Sequence, residues 1–199
     1  MYRGRIIACI TNRRLVKGDF LAQIECVAAM EMVDWIIVRE KDLSAEEYRT
    51  LFAKVARIAH KGDKKCLAHG RIALDVMSEL GADGIHLPLD ALRKWRAASG
   101  WGGRRSGGED AVQLVGASAH SASELAEAAA LGADYATLSP IFATACKPGV
   151  APLGTAALAA ACQKSLIPIF ALGGIGMDKL DACIEAGAAG CCMMSELMR

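Results

Sequence analysis

Residues 121–140 read SASELAEAAALGADYATLSP, and they hold one complete helix-to-strand unit. Ser121 followed three residues later by Glu124 is a capping-box start. An Ala-rich run follows, Gly132 stands where a helix C′ residue is expected, and residues 135–140 read as a strand. The junction phrase Gly-Ala-Asp at 132–134 returns at 81–83, and Gly-Ala-Ala at 187–189 is close to it. A helix–Gly–Ala–strand junction that recurs in this way marks a repeated βα unit.

Working outward from that unit, short β-branched runs alternate with longer segments of helical period. Strands are expected at 6–11, 34–40, 64–70, 84–88, 112–118, 135–140, 168–174 and 190–195. Helices are expected near 19–31, 44–59, 71–80, 89–99, 121–131, 152–164 and 177–186, with Ser44 and Glu47 forming a second capping box. Eight strands with helices between them predict an α/β fold, a (β/α)₈ TIM barrel, as a single domain over residues 1–199. An open doubly wound sheet would want its Gly-rich turn after the first strand. Here Ile10-Thr11-Asn12-Arg13 leads out of that strand, and Gly173-Gly174-Ile175-Gly176 follows the seventh, where barrels keep phosphate. Arg199 falls where an eighth helix is due, so the final helix is read as truncated. The outer faces of strands eight and one are then expected to need another cover, and apolar surface of that kind suggests a homodimer.

Composition narrows the function. Hydrophobic residues are 53% and aromatics only 5%, so the core is expected to be built from Ala, Val, Ile and Leu. The net charge of +1 leaves no basic excess for nucleic acid. No stretch is long and apolar enough for a membrane span or a secretion signal, which predicts a cytoplasmic protein without a membrane partner. The 8 cysteines show no Cys-x-x-Cys and no zinc spacing, so most are read as reduced core thiols. Cys146 differs, since it stands in a polar loop.

Several residues fall at the C-terminal ends of strands, where barrel chemistry sits. Gly173 and Gly174 after strand seven, with Met194 and Ser195 after strand eight, are positioned to hold a phosphate through backbone N–H groups. At the end of strand two, alternation puts Arg39 and Lys41 on one face and Glu40 on the other. Those two cations suit an anionic substrate, although a solvated charge cluster is an equally good reading of the triplet. Gly116, Ser118 and His120 share a face of strand five, and an imidazole there can take and return a proton near neutral pH. His86 reads as a hydrogen-bonded core group, and His69 as a residue of the mouth. Thr144, Cys146 and Lys147 lie on a lid-like loop after strand six. The other irregular stretch, 100–110, belongs to the opposite face and reads as a poorly ordered solvated loop.

Taken in order, VREK at 38–41, GADGIHL at 81–87, VGASAH at 115–120, ADYATLSPIFATACK at 133–147 and ALGGI at 171–175 resemble the thiamine phosphate synthase/TenI superfamily over nearly the whole chain. The resemblance implies a (β/α)₈ barrel acting on a phosphorylated thiazole. A synthase of this superfamily joins a pyrimidine diphosphate to a thiazole phosphate and uses Mg²⁺ held by carboxylates after strands three and four. This chain reads His69-Gly70-Arg71 and Pro88-Leu89-Asp90-Ala91 there, so only Asp90 is left as a metal ligand. Gly70-Arg71 and Thr144-Ala145-Cys146-Lys147 resemble the thiazole tautomerase (TenI-like) branch instead, whereas Lys41 is the more synthase-like choice.

On these departures the favoured expectation is an isomerase, a metal-independent thiazole phosphate tautomerase. The resemblance gives His120 the acid/base role. Ser118, Thr144, Lys147, Gly173, Gly174, Met194 and Ser195 would then bind substrate and phosphate, with Arg39 and Lys41 facing its anionic groups. The alternatives are a Mg²⁺-dependent thiamine phosphate synthase, a transferase, and a non-catalytic phosphate-ligand sensor.

Overall fold

The computed structural model describes residues 1–76, 81–98, 114–146 and 148–199. Its strands are β1 (Ile6–Ile10), β2 (Trp35–Val38), β3 (Lys65–His69), β4 (Gly84–Pro88), β5 (Val115–Ala119), β6 (Tyr135–Leu138), β7 (Ile169–Leu172) and β8 (Gly190–Met193). They pair in parallel in sequence order and close into a barrel, with β8 returning to β1. Around them run α1 (Phe20–Ala29), α2 (Ala45–Lys61), α3 (Arg71–Val76), α4 (Leu89–Ala98), α5 (Ala122–Ala130), α6 (Gly154–Lys164) and α7 (Leu180–Glu185).

The expected elements are present and mostly shorter than the sequence suggests. Arg39, Glu40, Gly173, Gly174 and Ser195, read as strand ends, lie just beyond the paired residues. Side chains that reach a barrel mouth leave the hydrogen-bonded ladder first. Residues 177–186 split into a 3₁₀ turn, Met177–Lys179, and α7, and a 3₁₀ turn at Arg13–Leu15 was not foreseen. The end of the helix expected over 71–80 and the loop at 100–110 lie outside the described residues. Ser44 and Glu47 form the full reciprocal capping box of α2. At α5 the box is altered: Ser121 caps Glu124 N, but the Glu124 carboxylate accepts from His120 N at 2.5 Å.

Alternation divides each strand between two cores. Ile7, Ile36, Ala68, Ile85, Ala117, Ala136, Ala171 and Cys191 face the helices in one large aliphatic cluster. Facing inward, Ala8, Ile37, Leu67 and Cys192 surround Trp35, Tyr135 and Phe170. The aliphatic core expected from composition therefore holds mainly outside the barrel, where Tyr48 and Phe52 are buried among the aliphatic side chains. Inside, Trp35 stacks on Phe170 at 5.2 Å between centroids, and Tyr135 tilts against Phe170 at 4.8 Å. Gly190 makes the room, since a Cβ there would come within 2.9 Å of the Phe170 ring. Few aromatics are needed because one triad fills the base of a narrow cylinder, each pair adding about 0.5–1.5 kcal/mol beyond its burial.

The seam between β8 and β1 is covered, against expectation. Ile7, Cys9, Cys191 and Met193, the outward residues there, are fully buried in one cluster with Ile24, Leu197 and Met198. The turn after β8 folds back onto α1, where Gln23 Nε2 donates to the Leu197 carbonyl at 2.8 Å. This seam therefore does not leave, among the described residues, the uncovered apolar face from which a homodimer was expected. Among the described residues no helix is long and apolar enough to cross a membrane.

Candidate active site

A cavity of about 230 Å³ opens at the C-terminal ends of the strands. It gathers Arg39, Lys41, Ser118, His120, Thr144, Gly173, Gly174, Met194 and Ser195, nine residues singled out from sequence at or beyond the ends of five different strands. Lys147 lies outside the described residues, and Asp90 does not border the cavity. Ile10, Leu172 and Cys192 give it an apolar floor.

On one side the site is cationic, and a buried acid arranges it. Alternation sends Glu40 away from the cavity, where it is 3% exposed. Its carboxylate accepts from Thr11 Oγ1 at 2.7 Å, from Arg13 N at 3.0 Å and from Arg13 Nη1 at 3.1 Å. Thr11 Oγ1 in turn accepts from Arg39 N at 2.9 Å. The end of β2 is thereby tied to β1, and Arg39 and Lys41 are held at the cavity wall. The sequence reading missed this network, and the signal for it was the opposite parity of Glu40. Arg39, followed by burial, holds the Lys41 ammonium below its ordinary pKa. Two cations that repel one another relax when an anion binds between them.

Beneath them lie two buried imidazoles, His69 and His86, stacked with centroids 5.5 Å apart. Burial first, then His86, then the Arg39 and Lys41 charges hold His69 well below the usual histidine range. Burial pushes His86 down to about 4. Both are neutral at neutral pH. His69 lines the mouth as expected, and His86 is the hydrogen-bonded core group that was expected, although it also touches the cavity.

His120 leaves the end of β5 with its backbone N fixed by Glu124. Its Nδ1 lies 2.8 Å from the Ser139 carbonyl oxygen and 3.2 Å from Ser139 Oγ. A carbonyl only accepts, so Nδ1 carries a proton and Nε2 is the nitrogen able to exchange one with a ligand. Ser139, at 4% exposure, was not singled out from sequence, because nothing in its type distinguishes an orienting serine from an ordinary one.

Gly173 and Gly174 cross under the loop that leaves β6. Gly174 has φ +64°, and a Cβ there would collide with the Ala143 carbonyl. Phe142 N donates to the Gly173 carbonyl at 3.0 Å, and Lys179 Nζ donates to the Gly174 carbonyl at 2.9 Å. The Cys146 thiol sits 3.9 Å from Met194 Sδ, linking the β6 loop to β8 across the cavity.

The β3–β4 side does not present the donor set that Mg²⁺ prefers. Gly70 and Ala91 offer no side-chain oxygen, and the Asp90 carboxylate is paired with Arg71. A Cβ at Gly70 would meet nothing within 4 Å, so the space is open while the ligand is missing. Among the described residues no three potential ligands cluster.

Comparison with known proteins bears on the chemistry. The family model described as thiamine monophosphate synthase (TMP-TENI) matches residues 7–197. A putative thiamine-phosphate synthase 2 of Aquifex aeolicus is 33% identical over 181 residues, 91% of each chain. The thiamine-phosphate synthase of Clostridium novyi is 30% identical over 198 residues, 96% of this chain and 89% of its own. Among solved structures, thiamine phosphate pyrophosphorylase from Pyrococcus furiosus superposes with a TM-score of 0.75 at 21% identity, covering 98% of this chain and 94% of its own. That likeness supports the fold. The expectation of a tautomerase, an isomerase, is corrected by these relatives, which are named as synthases. It rested on a few loop side chains, such as Gly70-Arg71 and Cys146, and these weigh less than a match along the whole barrel.

Proposed function

The chain belongs to the thiamine monophosphate synthase family, and from that premise we propose that it is a thiamine-phosphate synthase, joining a pyrimidine diphosphate to a thiazole phosphate. The observation that carries the reading is the 33% identity, over 91% of both chains, to a relative named for that activity. The cavity supports it, since both substrates bring phosphate to a mouth lined by two cations and a Gly-Gly turn.

In this reading the thiazole ring nitrogen forms a bond to the pyrimidine's methylene carbon. The carbon–oxygen bond to the diphosphate breaks, and its electron pair leaves with pyrophosphate. Arg39, half-buried, and Lys41, exposed at the rim, stabilise the charge that gathers on the leaving oxygens. The backbone N–H groups of Gly174 and Ser195 hold the thiazole's phosphate, with Thr144 closing over it. His120 keeps its Nδ1 proton on the Ser139 carbonyl, so it is the doubly protonated ring that gives an Nε2 proton to the departing diphosphate, and solvent returns one after product leaves. Because the residues present do not fit a protein-held Mg²⁺, no step here is assigned to a metal. The reading keeps the protein in the cytoplasm with its small-molecule substrates.

The test is pyrophosphate release by purified protein given both substrates, in parallel with and without Mg²⁺. Release in either arm, with thiamine phosphate formed in equal amount, is expected. Binding of thiazole phosphate with no release in either arm would overturn the reading.

A further inference from the structure

Below the cavity, one hydrogen-bonded chain crosses three strands. Tyr135 Oη lies 2.9 Å from His86 Nδ1, and His86 Nε2 lies 3.0 Å from Ser118 Oγ. Thr137 Oγ1 stands farther from the same Nε2, at 3.5 Å. Strand register makes the chain possible: His86 pairs with Gly116, and Gly116 pairs with Tyr135. Gly116 is the opening through which the two rings meet, because a Cβ there would fall on the Tyr135 hydroxyl and on His86 Nδ1.

The direction of the chain follows from what each group can do. Tyr135 is 2% exposed, and burial raises its phenol well above the ordinary value, so it keeps its proton. Among the described residues the hydrogen-bond partner of that hydroxyl is His86 Nδ1. A buried hydroxyl that cannot donate costs about 1–3 kcal/mol, so the Tyr135 proton goes to Nδ1. The neutral ring of His86 then carries its own proton on Nε2 and donates it to Ser118 Oγ. Ser118 is half-buried and borders the cavity, and its oxygen is already accepting. Its own proton is left to point at whatever the cavity holds.

We propose that Tyr135 and His86 are positioning residues that fix Ser118 as a hydrogen-bond donor to a bound acceptor atom of the substrate. The relay does not move a proton. It removes the rotational choice that an isolated serine would have, so the donor is oriented before the ligand arrives. The identity of the ligand rests on the synthase reading, while the orientation of the relay does not.

The experiment therefore has two readouts, neither of which needs turnover. Imidazole ¹⁵N spectra of the unliganded protein at neutral pH report the tautomer of each of the 4 histidines. His86 is expected as the Nε2–H form. An Nδ1–H form in the wild-type protein would overturn the proposal, whatever the variants do. Titration with thiazole phosphate then follows affinity in Ser118→Ala, Tyr135→Phe and the double variant. Each single change is expected to raise Kd roughly three- to tenfold, the span of one ordinary hydrogen bond. The double variant is expected to bind no worse than Ser118→Ala alone, because Tyr135 acts through Ser118. Losses that multiply in the double variant, or a Tyr135→Phe protein with wild-type affinity, would overturn the positioning role. Failure of pyrophosphate release, with these two results intact, removes the synthase reading and leaves the relay standing.

Discussion

Where β7 and β8 reach the cavity, Leu172, Ile175, Cys192 and Met194 border it with uncharged side chains, and Gly173 and Gly174, which have no side chain, offer main chain beside Ser195. Across the mouth, β2 to β5 present Arg39, Lys41, His69, Ser118 and His120, and the contact is side chain. The first half depends on where the backbone runs. That path is set by a steric crossing with the β6 loop, which leaves no room for a Cβ at Gly174. The second half depends on residue identity, and several members have a supporting partner: Glu40, through Thr11, for Arg39, Ser139 for His120, and His86 for Ser118. A backbone-built cup tolerates drift in sequence. A side-chain wall can be rewritten by two or three substitutions, as Gly70 and Ala91 illustrate at β3 and β4.

The largest test of this contrast is His120→Ala. Turnover is expected to fall by about 10²–10⁴-fold, the usual worth of a placed acid or base, with stability lowered by no more than about 1–3 kcal/mol as the buried Ser139 carbonyl loses this donor. Steady-state rates and a melting curve on one preparation check it. Full activity in the folded variant would place the proton transfer elsewhere.

A second test uses the buried imidazoles below the side-chain wall. His86 titrates at about 4 in the folded protein, against about 6.5 when unfolded. Between those values the unfolded chain binds the proton and the folded one does not, so acid favours unfolding. Stability should be level above pH 7 and then fall by about 1.4 kcal/mol per pH unit for His86 between roughly 6.5 and 4. His69, shifted in the same direction, steepens the slope. Urea unfolding at a series of pH values measures it, and a flat profile from 7 to 5 would contradict the burial argument.

Smaller effects separate the two halves directly. Gly174→Ala should cost about 1–2 kcal/mol for its left-handed backbone alone, with the Ala143 clash in addition, and should weaken phosphate binding as the cup shifts. Ser195→Ala should change phosphate affinity by less than about 0.5 kcal/mol, because it keeps the backbone N–H and removes a side chain on which the cup does not depend. Calorimetric titration with inorganic phosphate reads both. If Ser195→Ala proves the more damaging, the cup is built of side chains after all.

The sequence revealed most of what depends on periodicity and on punctuation by glycine. The recurring Gly-Ala-Asp junction located the strands and the closure, and the Gly-Gly after strand seven lies at the cavity. Parity along β2 and β5 correctly set Arg39 and Lys41 at the cavity and Ser118 beside His120. What stayed hidden were contacts between elements far apart in the chain. Nothing local ties Thr11 to Glu40, or Tyr135 to His86, until the barrel closes and brings their strands together. The activity was misread for a related reason: a handful of loop side chains spoke for one branch, whereas similarity spread over the barrel spoke for the other.

Closure of the barrel has a further consequence, for the order in which the chain assembles. Ile6 pairs with Gly190 and Cys9 with Met193, so β1 emerges before the barrel's other strands and waits for the eighth of them. Until β8 emerges, one edge of the apolar run IIACI has no strand beside it. Contacts this distant in sequence form slowly, and an open apolar edge is a template for pairing with another chain. The seam is therefore the point at which synthesis and aggregation compete. Slowing translation after β7 should lower the yield of folded protein more than slowing it after β2.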